Sequence, residues 1–336
     1  MNIYKNILII RTDRIGDVVL TTPTIKALHK FYPKSKVSIL VTPLTKPLIE
    51  NNPYLNEVIV DDRRGEHKGA LGFWKLVSEI RKKKYDLAIV LHTKKRTNAL
   101  CFFAGIPRRI GYKNNKFGFL LTHPIEDVRH YGKQHEAQYC LDVLKSVDIE
   151  SKDLELYISI ENEAEQWVSE FCRVHKIDDK NKLIAIHPGA SDPAKCWPAH
   201  CFAELIEQLY AKYHAKCVIV GASNIQNITQ KIISSTQHSI IDLTGKTTVS
   251  QLVSILKRAD MLVSNDSGPV HIAAALQTPV ISIFTRNQPG INPERWHPLG
   301  NKSREVVVAQ KRDVQYAKKI MVDEVFEAVD AQFKLC

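Results

Sequence analysis

The run Met261 to Phe284, MLVSNDSGPVHIAAALQTPVISIF, constrains the fold of this chain more than any other stretch, because it compresses two strands, a turn and a helix into one segment. MLVS is a continuous apolar run, SNDSG carries turn chemistry, and Pro269 stands where a first helical turn tolerates a missing N–H. The helix is expected to run through Ala275, and Pro279 to end it before the strand VISIF. A turn at the carboxyl end of a strand in an open α/β sheet is where such sheets bind ligands. N–H groups expected to be free at Gly268, Val270 and His271, with the hydroxyl of Ser267, suit an anionic group such as a diphosphate. The same residues also fit an ordinary capped helix in which Ser267 is only the local cap.

The alternation of buried strands and amphipathic helices runs the whole length. NILII (Asn6 to Ile10) reads as a strand, followed by RTDRIGDVVLTTP, which turns into a helix that Pro23 kinks or restarts. Only Gly16 is present there, so no G-x-G-x-x-G dinucleotide fingerprint supports a dehydrogenase. Asp17 sits at the helix start, where a carboxylate interacts favourably with the dipole and tends to stay ionised, and it fits an ordinary N-terminal helix residue as well. KVSILVTP, NEVIVDD and YDLAIVLHT are further strands, and FWKLVSEIRKKK is an amphipathic helix between the last two. The basic stretch KKRTNALCFFAGIPRRIGYKNNK then carries interleaved aromatics. His135 and Tyr139 lie one turn apart on a later helix, where packing explains them as well as ligand contact does. After the helix ENEAEQWVSEFCRVHKI, the polar DDKNK (Asp178 to Lys182) is the linker candidate, and the alternation restarts at LIAIHPGAS. LTGKT invites a P-loop reading, but Ile240 occupies the position five before Gly245, so Gly245 to Thr248 is a turn and cap. In HPGASDPAKCWP (His187 to Pro198), Lys195 is the one fixed cation, able to meet phosphate as a point charge, and the same pattern fits a solvated loop lysine with Trp197 as a packing anchor.

At 336 residues, two α/β domains of ~150 to 170 residues each are expected. A 44% hydrophobic and 25% charged composition excludes a disordered chain. No apolar run reaches the ~18 residues of a membrane span and the N-terminal apolar core is too short for a signal peptide, so a cytoplasmic chain is expected. The seven cysteines are scattered without a C-x-x-C pair and read as reduced thiols. The net charge of +11 concentrates in the first half, including Arg81 to Lys84, Lys94 to Arg96, Arg108, Arg109 and Lys113 to Lys116, which favours an acidic partner. Nucleic acid, anionic lipid and a phosphorylated glycan all fit that charge.

RIGDVVLTTP, FFAGIPRRIGY, HPGASDPAKCWP and SNDSGPVHIAAAL, in that order and spacing, resemble glycosyltransferase family 9, the ADP-heptose:lipopolysaccharide heptosyltransferases, and look most like the heptosyltransferase II type. The resemblance implies an α/β chain of GT-B fold, two Rossmann-like domains facing across a cleft. It implies an N-terminal acceptor domain at 1–160, a connecting helix and linker at 161–182, a nucleotide-sugar domain at 183–318 and a C-terminal helix at 319–336 crossing back to the first domain. By the same resemblance Asp17 is the general base. Lys195, Asp266, Ser267, Gly268, His271 and Thr244 form the donor site, and Lys94, Lys95, Arg96, Arg108 and Arg109 meet the acceptor. Two residues depart from the pattern: Cys196 stands where Arg is common, and the loop Gly221 to Asn224 has no Glu for the donor ribose. No Asp-x-Asp motif occurs, so neither a metal nor another cofactor is expected.

The resulting expectation is an inverting, metal-independent transferase that moves heptose from ADP-heptose to an inner-core lipopolysaccharide acceptor. It would act at the cytoplasmic face of the inner membrane through peripheral contact, with no nucleic-acid partner. The alternatives are another nucleotide-sugar donor, a sugar-nucleotide epimerase, or a nucleotide-sugar binding protein without turnover.

Overall fold

Runs such as NILII and LIAIH have no polar face, so a strand made of them needs cover on both sides, and a parallel sheet with crossover helices supplies it. The computed structural model describes residues 4–178, 182–300, 303–307 and 320–334 and has two compact units, Met1–Ser159 and Ile160–Cys336.

In the first unit β1 (Asn6–Ile10) leads through α1 (Ile15–Val19) and α2 (Thr22–Phe31) to β2 (Lys36–Val41) and β3 (Glu57–Val60). Then come α3 (Gly69–Lys82), β4 (Leu87–Val90), α4 (Lys95–Phe103), β5 (Arg108–Tyr112), β6 (His123–Ile125) and α5 (Glu136–Asp142). The sheet runs β3-β2-β1-β4-β5-β6 with parallel neighbours, and Ile7 of β1 is level with Val37 on one side and Leu87 on the other. Pro23 lies in the first turn of α2, so it restarts the helix rather than kinking it. Leu76, Val77 and Ile80 of α3 and Leu100 and Cys101 of α4 cover one face of the sheet by packing on Leu8, Ile10, Ala88 and Val90.

The second unit opens with α6 (Asn162–Val174), β7 (Leu183–His187), α7 (Ala199–Tyr213), β8 (Lys216–Ile219), α8 (Gln226–Ser234) and β9 (Ile241–Asp242). It continues with α9 (Val249–Arg258), β10 (Met261–Asn265), α10 (Gly268–Ala275), β11 (Val280–Phe284), α11 (Pro293–Trp296), β12 (Ser303–Val307) and α12 (Val322–Phe333). Its parallel sheet runs β12-β11-β10-β7-β8-β9. The run Met261 to Phe284 forms β10, α10 and β11, with Gln277 in the left-handed region at φ 59° between helix and strand. Thr248 caps α9 through a reciprocal box: its Oγ1 accepts from Gln251 N (3.1 Å) and its N–H donates to Gln251 Oε1 (2.9 Å).

α6, expected as a connecting helix, packs on α9 inside the second unit. The C-terminal helix, expected to cross back to the first domain, packs within the second unit. Val322, Val325 and Val329 form its apolar stripe and join the same buried cluster as Leu205 and Leu209 of α7 and Ile281 of β11. Gln208 Nε2 donates to Asp323 (3.1 Å), and Trp197 Nε1 donates to the Ile320 carbonyl (3.0 Å), fixing the start of α12 to the unit that contains α7. Part of the expected linker Asp178 to Lys182, and residues 308–319 before α12, lie outside the described residues. No helix among the described residues is long and apolar enough to cross a membrane.

Candidate active site

In each sheet the strands follow the order 3-2-1-4-5-6 by position in their own unit. Connections therefore diverge on either side of the first strand, and the gap at the carboxyl ends of the first and fourth strands is the natural ligand position. In the first unit this gap is edged by the loops after β1 and β4, and in the second by the loops after β7 and β10.

Beyond β1 the backbone carries Arg11, whose guanidinium is fully buried at 1% exposure and gathers three carboxylates. Its Nε is 3.1 Å from Asp13, and one terminal nitrogen donates to both Asp17 and Glu136, the latter at 3.1 Å. Asp17 reaches it from the first turn of α1, and Glu136 from the first turn of α5, which His135 caps by accepting from Ala137 N (3.2 Å). Arg129 adds a second cation 3.7 Å from the same Glu136 oxygen while pairing with Asp127 (2.7 Å). Burial, opposed by Arg11 and aided by the charge of Asp17, raises the Asp13 carboxyl well above its ordinary range, to about 7. Asp13 therefore takes up a proton at a higher pH than an ordinary carboxyl does. Asp17 keeps 15% side-chain exposure, and only its Oδ1 has a hydrogen-bond partner among the described residues. Its other oxygen is open to a proton donor.

At the end of β4, His92 accepts or donates at Nδ1 to Thr12 Oγ1 (3.0 Å), and Arg63 donates to the same hydroxyl (2.9 Å). Burial, then Arg11, Lys94, Arg63 and Lys116, push the His92 ring down to about 3. Four cations acting on one imidazole mark these strand ends as electropositive. Lys94 is also held below the usual lysine range, first by its contact with Lys116 and then by burial. Two facing ammonium groups favour an anion between them. Lys95 is exposed at the first turn of α4.

Three of the five expected acceptor cations have other partners. Arg96 pairs with buried Asp61 through two bonds (2.8 and 3.0 Å) and donates to the His67 carbonyl (3.0 Å). Burial works against the Asp61 charge, but Arg96 and Arg63 outweigh it and hold the carboxyl below its ordinary range. Arg108 and Arg109 begin β5 level with Leu87 and Ala88, so they lie at the amino ends of the strands, away from the Asp17 loop. Arg108 donates to the Ser146 carbonyl (2.7 Å) and to the Tyr4 hydroxyl, and Arg109 to the Leu120 carbonyl (2.7 Å) and the Ile106 carbonyl. Strand direction decides this, and the charge of a residue carries no information about it.

In the second unit Asn265 at the end of β10 ties down the long loop after β7 at both ends. It donates to the Pro188 carbonyl (2.7 Å) and accepts from Trp197 N (2.9 Å). Gly189 lets this loop lie close: a Cβ there would come within 2.6 Å of Ile225. Asp192 caps the turn Pro193–Lys195 by accepting from Ala194 N (3.0 Å), and Lys195 pairs with Asp266 beside the start of α10. Ser267 occupies the cap position of α10 but its hydroxyl makes no cap bond. It meets His187 Nδ1 (3.0 Å) and Ser264 Oγ (2.9 Å) instead of capping the helix. Burial lowers the His187 ring to about 4, leaving it neutral at ordinary pH. Of the three N–H groups expected to be free, that of Val270 donates to the Ser267 carbonyl (3.2 Å). His271 is buried, its Nδ1 has no hydrogen-bond partner among the described residues, and burial, then His297 and Lys195, push its ring down to about 3. An unpartnered buried ring nitrogen beside a lysine and a helix start is a group with unused capacity to bind a ligand. Thr244 is buried: its hydroxyl meets Thr229 Oγ1 (2.8 Å) and its N–H donates to Asp242 Oδ1 (2.8 Å).

One cluster, Glu66, His67 and Glu79, has the composition of a cation site. His67 Nδ1 accepts from Asp62 N (3.1 Å), so a neutral ring carries its proton on Nε2, which faces Glu79 at 3.4 Å, and Glu66 pairs with Lys75. The cluster holds one ion pair, Glu66 with Lys75, and no free ring lone pair.

Sequence reasoning missed Arg11, Asp13, Glu136, Asn265 and the pairing of Lys116 with Lys94. RTD precedes the GD motif by only a few residues and was a readable signal for Arg11 and Asp13. Glu136 lies 125 positions from Arg11 and had none.

The family profile described as glycosyltransferase family 9 (heptosyltransferase) matches residues 73–322, well over half of the chain. Lipopolysaccharide heptosyltransferase 2 of Escherichia coli K12 is 27% identical over 323 residues, covering 89% of this chain and 87% of that protein. A glycosyl transferase family 9 structure from Veillonella parvula superposes with a TM-score of 0.88 at 25% identity, over 99% of this chain and 98% of that one. ADP-heptose lps heptosyltransferase II of E. coli superposes with a TM-score of 0.80 at 23% identity, over 98% of this chain and 99% of that one.

Proposed function

Because this chain belongs to glycosyltransferase family 9, and is a glycosyltransferase built on two Rossmann-like units of the GT-B class, we propose that it transfers heptose from ADP-heptose to the inner core of lipopolysaccharide, with inversion and without a metal. The observation that carries the reading is the grouping of Lys195, Asp266, Ser267 and His271 at the carboxyl ends of β7 and β10, where a helix start, a cation and an orphan imidazole nitrogen converge. The names of the similar heptosyltransferases supply the donor and the acceptor class.

In this reading the diphosphate of the donor lies against Lys195 and the start of α10. Negative charge grows on the leaving diphosphate as the glycosidic bond breaks, and fixed donors aimed at that charge lower the barrier more than they tighten ground-state binding. Asp17 takes the proton of the acceptor hydroxyl as that oxygen attacks the anomeric carbon from the face opposite the diphosphate. Arg11 fixes the Asp17 carboxylate through Oδ1 and directs its other oxygen to the hydroxyl. Lys94, Lys95 and Lys116 attract the anionic acceptor. The proposed place of action is the cytoplasmic face of the inner membrane.

The test combines three measurements on the full chain. ADP at 100 times its dissociation constant should stabilise the fold by ~2.7 kcal/mol while UDP has little effect. ADP-heptose and a delipidated core acceptor should give a product of inverted anomeric configuration. Turnover should survive EDTA. Stabilisation by UDP alone overturns the donor, retention overturns the single displacement, and loss of activity to EDTA with rescue by Mg²⁺ overturns charge neutralisation by the protein.

A further inference from the structure

Buried apolar residues explain how α3 and α4 hold to their sheet, but not the side chains that they turn outward. Leu71 is 89% exposed and Trp74 49%, and on α4 Phe102 and Phe103 are exposed as well. Phe119, in the turn that follows β5, is 81% exposed and Phe117 beside it is also exposed. They form one surface. Trp74 packs on Phe103 with ring centroids 4.9 Å apart, Phe102 on Phe103 at 5.3 Å, and Phe117 on Phe119 at 5.8 Å. Arg109 joins the two groups, lying 5.6 Å from the Phe102 ring and donating to the Leu120 carbonyl (2.7 Å). Exposed single aromatics need no explanation, but six large apolar side chains together mark an interaction surface.

The cations on this surface say which partner it fits. On α3, Leu71, Trp74, Ser78 and Arg81 fall on one helical stripe, with Lys82 next to Arg81. Arg81 donates to the Phe103 carbonyl, and Lys95 lies 5.6 Å from the Phe117 ring. Of the neighbouring acids, Glu66 is matched by Lys75, which leaves Glu79 against Arg81, Lys82, Lys95 and Arg109, so the face carries excess positive charge. Trp and Phe ringed by Lys and Arg are the composition of a surface that lies in a lipid interface, with rings at headgroup depth and cations against anionic headgroups. A second copy of the same face would bring like charges together in an isologous contact, which argues against a dimer.

We propose that the outward face of α3 and α4, continued by Phe117 and Phe119, docks the protein on an anionic lipid bilayer. The proposal rests on the reading that the acceptor is lipid-borne, and it adds the surface that would bring the chain to it. No long apolar helix is required, because interfacial side chains and several cations together give reversible binding.

Co-sedimentation of the full chain with vesicles tests it, using phosphatidylglycerol and phosphatidylcholine in equal parts against phosphatidylcholine alone. The chain should pellet with the anionic vesicles and stay in solution with the neutral ones. Trp74→Ser with Phe119→Ser should weaken partitioning at least ~tenfold by removing the exposed rings. Arg81→Gln and Lys82→Gln should each weaken it roughly fivefold at low salt. All of these variants should keep wild-type transfer to a delipidated, soluble acceptor, which also reports that they are folded. No binding to anionic vesicles, equal binding by the ring variant, or a Trp74-dependent dimer in sedimentation velocity would each overturn the surface. Transfer to soluble acceptor without vesicle binding removes the docking surface alone. Vesicle binding without any heptose transfer removes the proposed function alone.

Discussion

Replacing Asp17 by Asn separates chemistry from architecture, because the carboxamide keeps the size and the Oδ1 acceptor while losing the base. A placed general base is worth typically 10² to 10⁴-fold, so kcat should fall at least ~100-fold, about 2.7 kcal/mol of barrier. The structural cost is smaller and has two opposing parts. The bond that Asp17 makes to Arg11 is charge-assisted, worth ~1.5–3 kcal/mol, against ~0.5–1.5 kcal/mol for a neutral acceptor, so its weakening costs about 1–2 kcal/mol. Asp17 also repels Asp13 across the same guanidinium, and loss of that charge returns part of the cost. The net change in stability should stay within ~1 kcal/mol, small beside a total of ~5–15 kcal/mol. Steady-state kinetics with ADP-heptose and soluble acceptor should show the loss in kcat with donor KM little changed, and urea unfolding should show a nearly unshifted midpoint. A second signature is that the raised Asp13 carboxyl should move back toward its ordinary range in the variant. Turnover within a few-fold of wild type would place the base elsewhere. A rise in donor KM matching the fall in kcat, or a stability loss above ~3 kcal/mol, would show that Asp17 acts through structure instead.

Lys195→Ala should raise donor KM and lower kcat together, because it removes the cation that meets the diphosphate beside Asp266; unchanged ADP affinity by calorimetry would remove Lys195 from the site. Lys94→Gln with Lys116→Gln should raise acceptor KM most at low salt and leave donor KM alone, and equal effects on both substrates would point to general destabilisation. Asp13 predicts a pH dependence of stability. Its carboxyl is raised in the folded state, so folding is favoured while it is protonated, and that contribution is lost as pH rises from ~4 to about 7. Asp13→Asn should flatten this slope, seen as urea midpoints that change less between pH 5 and pH 8 than in wild type, and an unchanged slope would assign the titration to another group.

Local patterns determined a good deal of this protein. The unbroken apolar strands NILII and LIAIH required sheets covered on both faces, and SNDSGP, with its turn residues and proline, required the strand-turn-helix that forms β10 and α10. Asp17 and Lys195 stood out in the sequence because each sits within a short motif at the end of a strand, and they remain proposed site residues. What tertiary structure decided is what depends on direction and on distant partners. Arg108 and Arg109 have the charge of a substrate clamp, but parallel pairing puts them at the amino ends of the strands, where each donates to a backbone carbonyl. The Ser267 hydroxyl leaves the cap bond unmade because β7 brings His187 alongside. The stripe Val322, Val325 and Val329 announced that α12 would bury a face, but could not say against which unit, and α7 supplied the matching surface. Arg11 holds Asp17 together with Glu136 from 125 positions away, and Asp13 is raised by burial that no local window contains. Periodicity and turn chemistry act over a few residues and are written in sequence, whereas desolvation and charge pairing depend on what the fold brings into contact.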